Sequence, residues 1–494
     1  MNEPKSYRML IDGALVDAGD GARLESINPA TGEVWATFPA ATAEDVDRAV
    51  RAAHCAMTEG PWARLTATLR GKLIRRLGDR VAEHADAMAQ VETIDTGKLL
   101  RETRGQIKYV AEFYHYYAGL ADKIEGATLP IDKPDMLVMT VREPIGVVAA
   151  IVPWNSQLFL TALKLGPALA AGNAVVIKAS EHGPASLLEF AQLIEQAGIP
   201  PGVVSVITGL GEPCGKALTS HPLVARVAFT GGPETAHHVV RNSADNFAHV
   251  TLELGGKSPI VAFADADLDN TANGVIAGIF GASGQSCVAG SRLIVEDRLC
   301  EPLLARIVER ARTIKIGDPL DAATEMGPLC TRGQFDRIQD VVARTVAAGG
   351  RLIHGGERPA HLNRGWYCGP TIIECSSAQL PSVEQELFGP MLSVLRFEYE
   401  DEAVRLANDT NYGLAAGVFT NDGAKALRVM KRLRSGIVWI NTYRAVSPMV
   451  PFGGYGNSGY GREGGVEAVL DYTRTKSVWI NLSSQPMADP FVLR

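Results

Sequence analysis

Between residues 146 and 254 the chain repeats one unit, a short uninterrupted apolar run followed by an amphipathic stretch of helical length. The runs are GVVAAIV, AVVIKAS, VVSVIT, RVAFTG and HVTLEL, and the spacing predicts helices over about 157–171, 184–197, near 213–220 and from 233. A continuous apolar run is a strand buried on both faces, and a helix between two such strands supplies the crossover that parallel pairing needs. The chain is thereby held to the α/β class, with a parallel sheet covered on both sides. Gly172-Asn173 is read as the stop of the first helix. The rhythm restarts with PIVAF, a helix over about 266–280, RLIVED and a helix over 298–313, which marks a second α/β domain.

A chain of 494 residues exceeds one hydrophobic core, so two or three domains are expected. A surface helix over 42–58 starts at Thr42, with Asp45 placed to complete a capping box. Residues 122–142 and the end from about 470 each read as a strand whose partner lies elsewhere. Long exposed edges are usually covered, so both are expected in a sheet that joins subunits as a dimer or a dimer of dimers. The tail Ser484 to Arg494 carries Phe491, Val492 and Leu493 and is expected to dock on an adjacent subunit.

The net charge of −7, with scattered Lys and Arg, argues against nucleic acid as a partner. The seven cysteines are odd in number, widely spaced and without a CxxC pair, so neither a disulfide framework nor a zinc site is expected. No signal peptide and no apolar run of roughly 20 residues is present, which favours a cytoplasmic location away from the membrane.

The chemistry concentrates at two points. In Gly284-Gln285-Ser286-Cys287 a thiol stands among small residues where a substrate can approach, and Glu253 ends an apolar strand just before Leu254-Gly255-Gly256-Lys257. Together they supply a nucleophile and a base for acyl chemistry, against the plain readings of a buried inert cysteine and a salt-bridged strand end. Lys178 and Glu181 follow a strand at the carboxyl edge of the sheet, where an open α/β sheet binds its ligand, and can hold the two hydroxyls of an adenine ribose. Glu181 would repel a 2′-phosphate, so NAD is preferred over NADP. Phe229-Thr230-Gly231-Gly232 offers backbone N–H groups at a helix start, suited to a pyrophosphate. A solvated charge pair and a tight turn are the alternatives. Gly209-Leu210-Gly211 and Gly215 resemble a dinucleotide fingerprint, but the third glycine is one place late.

Together these pieces resemble the aldehyde dehydrogenase superfamily, from Asn28-Pro29-Ala30-Thr31-Gly32 to Gly461-Arg462-Glu463. The motifs that carry the likeness include Pro153-Trp154-Asn155, Glu386-Leu387-Phe388-Gly389-Pro390 and Pro451-Phe452-Gly453-Gly454, besides those above. The resemblance implies a Rossmann-type NAD-binding domain (1–122 and 143–254), an α/β catalytic domain (255–457), and oligomerisation strands with the C-terminal tail (123–142 and 470–494). It implies that Cys287 attacks an aldehyde, in surroundings that favour the thiolate, with Asn155 holding the oxyanion and Glu253 activating the water that releases the acid. Lys164 and Glu463 match a pair that carries protons, with surface charges as the alternative. Cofactor contacts are implied for Ile151, Pro153, Trp154, Lys178, Ser180, Glu181, Gly211, Phe229, Thr230, Gly231, Gly232, Leu254, Gln334, Glu386 and Phe388, and no metal is implied.

Departures from the pattern are informative. Gly232 and Ala236 stand where a serine and a glycine are usual, so the cofactor grip is expected to rest on backbone groups, and Ala179 replaces a proline. Ser156, Leu160, Leu163, Arg444, Val446 and Phe452 are expected to line the substrate tunnel. Ser156 and Leu163 replace aromatic residues, which predicts a tunnel wider and more polar than an aromatic slot. The expected substrate is a branched, ring-derived or oxygen-bearing aldehyde or semialdehyde, and Arg444 is expected either to meet a carboxylate on it or to bridge to a neighbouring subunit. Two other readings stay open, a catalytically silent NAD-binding relative and an enzyme that passes the acyl group to coenzyme A, which Glu253 disfavours.

Overall fold

The computed structural model describes residues 3–487 and 489–491. The apolar runs are strands. Val147–Ile151, Ala174–Lys178, Val204–Ile207, Val224–Gly231 and His249–Leu254 lie parallel in the middle of an eight-stranded sheet. Short antiparallel strands form its edges: Met9–Ile11 and Ala14–Val16 on one side, Gly459–Tyr460 on the other. The first parallel strand in sequence sits between the second and the fourth, so the strand order reverses beside it and opens a crevice at the carboxyl ends. Register aligns that edge. Ile151 lies opposite both Lys178 and Phe229, Thr230 opposite Glu253, and Gly231 opposite Leu254.

The helix Gln157–Ala170, apolar except for Gln157, Thr161 and Lys164, is buried along nearly its whole length between the layers. Gly172, at φ 93°, turns the chain after it, and Asn173 Nδ2 donates back to Ala168 O at 3.0 Å. The helix Ala43–Thr58 begins with the expected capping box, Thr42 Oγ1 accepting from Asp45 N at 3.2 Å and Asp45 Oδ2 from Thr42 N at 3.0 Å. Residues 59–121, for which no element is predicted above, form the helices Ala67–Glu83, Ala85–Thr96 and Leu100–Leu120. The last of these reaches into the site.

The second sheet has seven strands, in the order Arg351–His354, Thr371–Glu374, Met391–Phe397, Arg292–Glu296, Pro259–Ala262, Ala415–Phe419 and Ile437–Ile440. All neighbours are parallel except the first pair. The chain leaves the carboxyl end of His249–Leu254 and enters the amino end of Pro259–Ala262 within four residues. Consequently the carboxyl edge of one sheet faces the amino edge of the other, and loops from both meet in the space between.

The two segments expected to find partners elsewhere find each other. Met136–Pro144 pairs antiparallel with Thr473–Asn481 over their full lengths, and Thr128–Leu129 adds a third strand. Trp479 is 57% exposed on this sheet. A further three-stranded sheet, not anticipated above, joins Lys5–Ser6, Glu33–Pro39 and Arg23–Asn28. The expected docking of the tail falls partly on Ala488 and residues 492–494, which lie outside the described residues. No helix among the described residues is long and apolar enough to cross a membrane, and no group of three or more His, Cys, Asp or Glu among them could hold a metal ion.

Candidate active site

A cleft of about 310 Å³ runs along the carboxyl edge of the first sheet. Ile151, Pro153, Trp154, Lys178, Ser180, Glu181, Gly211, Phe229, Thr230, Gly231 and Gly232 all line it. At one end Lys178 Nζ stands 3.5 Å from Glu181 Oε2 and donates to Ala179 O at 3.1 Å. Ala179 donates its own N–H to Ile207 O at 3.0 Å, a bond that the usual proline could not make. Gly232 is the N-cap of the helix Pro233–Ser243 and supplies no side chain, and Ala236 faces the core. A Cβ placed on Gly211 or Gly232 meets nothing within 4 Å, so both positions open directly onto the cleft. Thr235, His238 and Asn242 also line it from the helix Pro233–Ser243. The sequence reading missed them, although their spacing is that of one helical face.

The cleft shares Pro153, Trp154, Thr230, Gly231 and Gly232 with a second compartment of about 230 Å³. Here Asn155, Leu160, Glu253, Leu254, Cys287, Gln334, Glu386 and Phe388 come together from both sheets. Asn155 Nδ2 donates to Gln285 O at 3.1 Å, tying the loop after Val147–Ile151 to the loop that carries the thiol. Gln334 Nε2 donates to Phe388 O at 3.0 Å, and the Trp154 and Phe388 rings meet edge to face at 5.5 Å. Arg337, one turn after Gln334 on the helix Arg332–Ala347, lines the compartment too and was not anticipated.

Two glycines are dictated by carboxylates. Glu386 Oε1 accepts the Gly256 N–H at 2.9 Å, and a Cβ on Gly255 would lie 1.8 Å from Glu386 Oε2. A Cβ on Gly453 would lie 2.7 Å from Glu253 Oε1. Only glycine allows either carboxyl to approach the backbone so closely.

Electrostatics set the protonation states. Glu253 is buried, and neither of its oxygens has a hydrogen-bond partner in the protein. Burial first, then the nearby Glu463, push its carboxyl well above the ordinary range, against the pull of Lys164 and Arg462. Glu386 is pushed up to about 7 by burial, although the Gly256 N–H and Lys257 work the other way. Lys164 and Glu463 are both fully buried and form an ion pair, and Lys164 Nζ also donates to Thr230 Oγ1 at 2.6 Å. The reading of these two as surface charges therefore fails.

The expectation that the surroundings favour a thiolate is not met. Burial, Glu253 and Glu386 push the Cys287 thiol up to about 12, and the Val288 N–H and Arg444 offset only part of this. Burial is the larger cause, and the two carboxyl groups around the thiol add to it: Cys287 and Glu253 do not both ionise readily, and each favours retaining a proton.

Beyond the helix Gln157–Ala170 lies a cavity of about 410 Å³ that contains Leu163, Val446 and Phe452. Phe113, Phe159 and Trp439 line it together with Phe452, so four aromatic rings wall this cavity, which shares no lining residue with the compartment of Cys287. Phe113 comes from the helix Leu100–Leu120, absent from the prediction, and its ring meets Phe159 edge to face at 5.1 Å. Ser156 turns elsewhere. Its hydroxyl donates to Asn155 O at 2.6 Å and accepts from Lys98 Nζ and Gln106 Nε2, both at 3.3 Å. Arg444 Nη1 donates to Ala277 O at 3.0 Å and packs against Gly281, and no carboxylate pairs with it among the described residues.

The comparisons with known proteins agree with this geometry. The sequence profile of the aldehyde dehydrogenase family matches residues 15–478. A dehydrogenase of Acinetobacter baylyi, named for (Z)-2-((N-methylformamido)methylene)-5-hydroxybutyrolactone, is 57% identical over 491 residues, covering 99% of this chain and all of that protein. The NAD+ complex of an aldehyde dehydrogenase from Bacillus cereus is 41% identical with a TM-score of 0.95, covering 97% of both chains. Betaine aldehyde dehydrogenase from Staphylococcus aureus, also solved with NAD+, is 38% identical with a TM-score of 0.95, covering 98% of this chain and 96% of that one. With the profile spanning nearly all of the two-sheet architecture and its loops, this chain belongs to the aldehyde dehydrogenase family.

Proposed function

We propose that the enzyme oxidises an oxygen-bearing aldehyde, reached by ring opening of a five-membered hydroxylactone, to the carboxylic acid, with NAD as hydride acceptor. The carrying observation is that Cys287 and Glu253 share one compartment that opens into the cleft along the carboxyl edge of the first sheet. A 5-hydroxybutyrolactone is the closed form of a four-carbon aldehyde that carries a carboxylate, and only the open form presents an aldehyde carbon, from which a hydride can leave, to a thiol. The name of the Acinetobacter relative supports that substrate class. The four aromatic rings of the neighbouring cavity suit a planar, conjugated substituent.

NAD fits the residues present. Glu181 and Lys178 would hold the adenine ribose, backbone N–H groups from Gly231 onward the pyrophosphate, and Glu386 the nicotinamide ribose, with Phe388 and Trp154 beside the ring. When bound there, NAD would supply the hydride acceptor. The rest falls to the protein. The Cys287 sulfur adds to the aldehyde carbon, and the Asn155 amide and the Cys287 N–H hold the oxygen that gains charge. Loss of the hydride and of the hydroxyl proton leaves a thioester on Cys287. Glu253 takes a proton from water, the hydroxide displaces the thiol, and the acid leaves. Lys164 and Glu463, paired next to Glu253, carry the proton away. The exposed sheet of Met136–Pro144 and Thr473–Asn481 supports a homo-oligomer joined through that face.

Absorbance of reduced cofactor tests the reading, with succinic semialdehyde, its 2-alkylidene derivatives, butanal and betaine aldehyde, each with and without coenzyme A. Highest kcat/KM for the ring-closing semialdehydes and no need for coenzyme A are expected, and a preference for simple aldehydes contradicts the substrate class. Glu181→Ser is expected to raise the ratio of NADP to NAD kcat/KM by about tenfold or more, because a negative charge beside the 2′-phosphate is removed and Lys178 is freed. An unchanged ratio places cofactor choice elsewhere. Arg444→Ala is expected to raise KM for semialdehyde acids about 10- to 100-fold, in line with the roughly 1.5–3 kcal/mol of a charged hydrogen bond, and to leave neutral aldehydes unaffected. Equal losses on both rule out a contact with the carboxylate.

A further inference from the structure

The nucleophile follows a turn of unusual conformation. The helix Leu268–Ile279 stops at Phe280, and Ala282 (φ 53°), Ser283 (φ 53°) and Gly284 (φ 71°) are all left-handed before Gln285-Ser286-Cys287 begins. Gly284 suits this place, since a Cβ there would lie 2.2 Å from Gly389 O. Ala282 and Ser283 do not, because a left-handed residue with a Cβ costs roughly 1–2 kcal/mol. Such a turn persists only when its neighbours fix it.

Besides the bond from Ser283 N to Phe280 O at 3.1 Å, three hydrogen bonds fix it. Gln285 N donates to Ala282 O at 3.0 Å, and Ser283 Oγ donates to Gly327 O at 2.9 Å. The third comes from the other side of the site, the Ala282 N–H donating to Glu102 Oε1 at 3.0 Å. Glu102 lies in the first turn of the helix Leu100–Leu120, far away in sequence. Its second oxygen, Oε2, is buried without a hydrogen-bond partner, and no cation pairs with the carboxylate among the described residues. The single bond that the side chain makes is charge-assisted and directed at the strained turn. The same helix continues the pattern: Gln106 reaches Ser156 beside Asn155, and Tyr109 OH donates to Val446 O at 3.2 Å. One helical face thus touches the loops that carry the nucleophile, the oxyanion amide and the substrate cavity.

We propose that Glu102 is a positioning residue whose carboxylate holds the left-handed turn and so aims Cys287 at the carbonyl carbon. This rests on Cys287 as the nucleophile. The test compares Glu102→Ala, Glu102→Gln and the double variant Glu102→Ala/Ala282→Gly, each checked for folding by thermal midpoint. The readouts are kcat, KM, NAD affinity and the rate of iodoacetamide alkylation at Cys287, followed by peptide mass so that exposed Cys55 is counted separately.

In Glu102→Ala, kcat and alkylation of Cys287 fall together by about 10- to 100-fold, the effect of a small misplacement, while KM and NAD affinity hold within about twofold. Glu102→Gln keeps an acceptor oxygen and recovers most of the loss. Ala282→Gly restores part of it, because glycine takes the left-handed conformation without help. A folded Glu102→Ala variant with unchanged kcat and alkylation overturns the proposal, as does a loss that neither Gln nor the glycine repairs. Should Glu102→Ala not fold, Glu102→Asp carries the test: its carboxylate stops one methylene short, the same two readouts fall together, and unchanged values overturn the proposal. If Cys287→Ser itself retained turnover, the nucleophile reading would fail first, whereas the alkylation rate reports on the turn separately.

Discussion

Glu253→Gln lowers steady-state turnover by about 10²- to 10⁴-fold, the usual contribution of a positioned general base, while one equivalent of reduced cofactor per site still forms in a burst. The division follows from where the side chain sits. Both Glu253 oxygens are buried and free of protein partners, and one lies against Gly453, so nothing but water or substrate is left for them to bind. Glutamine keeps the shape and removes the base. In the addition the thiol proton passes to the carbonyl oxygen, and the proton released with the hydride leaves to water, whereas hydrolysis of the thioester needs a base held beside the attacking water. The pH dependence carries the same signature. Burial and Glu463 raise the Glu253 pKa, and the base works only when deprotonated, so wild-type kcat falls as pH drops through that raised value and recovers above it. In Glu253→Gln this limb disappears from steady-state turnover. Stopped-flow absorbance over a pH series measures both, and a burst lost together with the steady state would place Glu253 in an earlier step.

Cys287→Ser is expected to abolish turnover, by at least about three orders of magnitude, with NAD affinity within about twofold of wild type. The thiol stands in the compartment beyond the cleft residues that would hold the adenosine and pyrophosphate, so its exchange for a hydroxyl leaves those contacts intact. What is lost is ionisation. The surroundings already push the thiol up to about 12, and a hydroxyl starts far higher still. The alternative of an NAD-binding relative without catalytic function predicts no difference between the two proteins. Kinetics alongside calorimetric binding of NAD separates these outcomes.

Much of this was legible in the sequence because it depends on local pattern. Continuous apolar runs with helices between them dictate parallel strands buried on both faces, and both large sheets contain such strands at the expected places. Gly172 and the Thr42 capping box mark helix ends by the conformations and partners that those residues prefer. The site motifs were legible for a related reason: glycines at 255, 284 and 453 stand where a carboxylate or a carbonyl touches the backbone, a demand that shows in sequence as an unbroken motif.

What was not legible depends on contacts between distant segments. The helix Leu100–Leu120 carries few starting signals, and Leu99 at its N-cap makes no side-chain cap, yet it supplies Phe113 to the aromatic cavity and Glu102 to the turn before Cys287. The state of Cys287 was misjudged for the same reason, because only the folded chain buries the thiol and brings Glu253 and Glu386 to it from separate strands and loops. Arg337 shows the milder case, lying one helical turn from a residue that was identified.

The most direct test of the account is the mass of the Glu253→Gln protein, quenched in acid within a second of mixing with NAD and succinic semialdehyde. The account predicts one acyl group per chain, carried on the peptide that contains Cys287 and absent when Cys287 is serine. Reduced cofactor formed without any adduct, or an adduct on another residue, would contradict it.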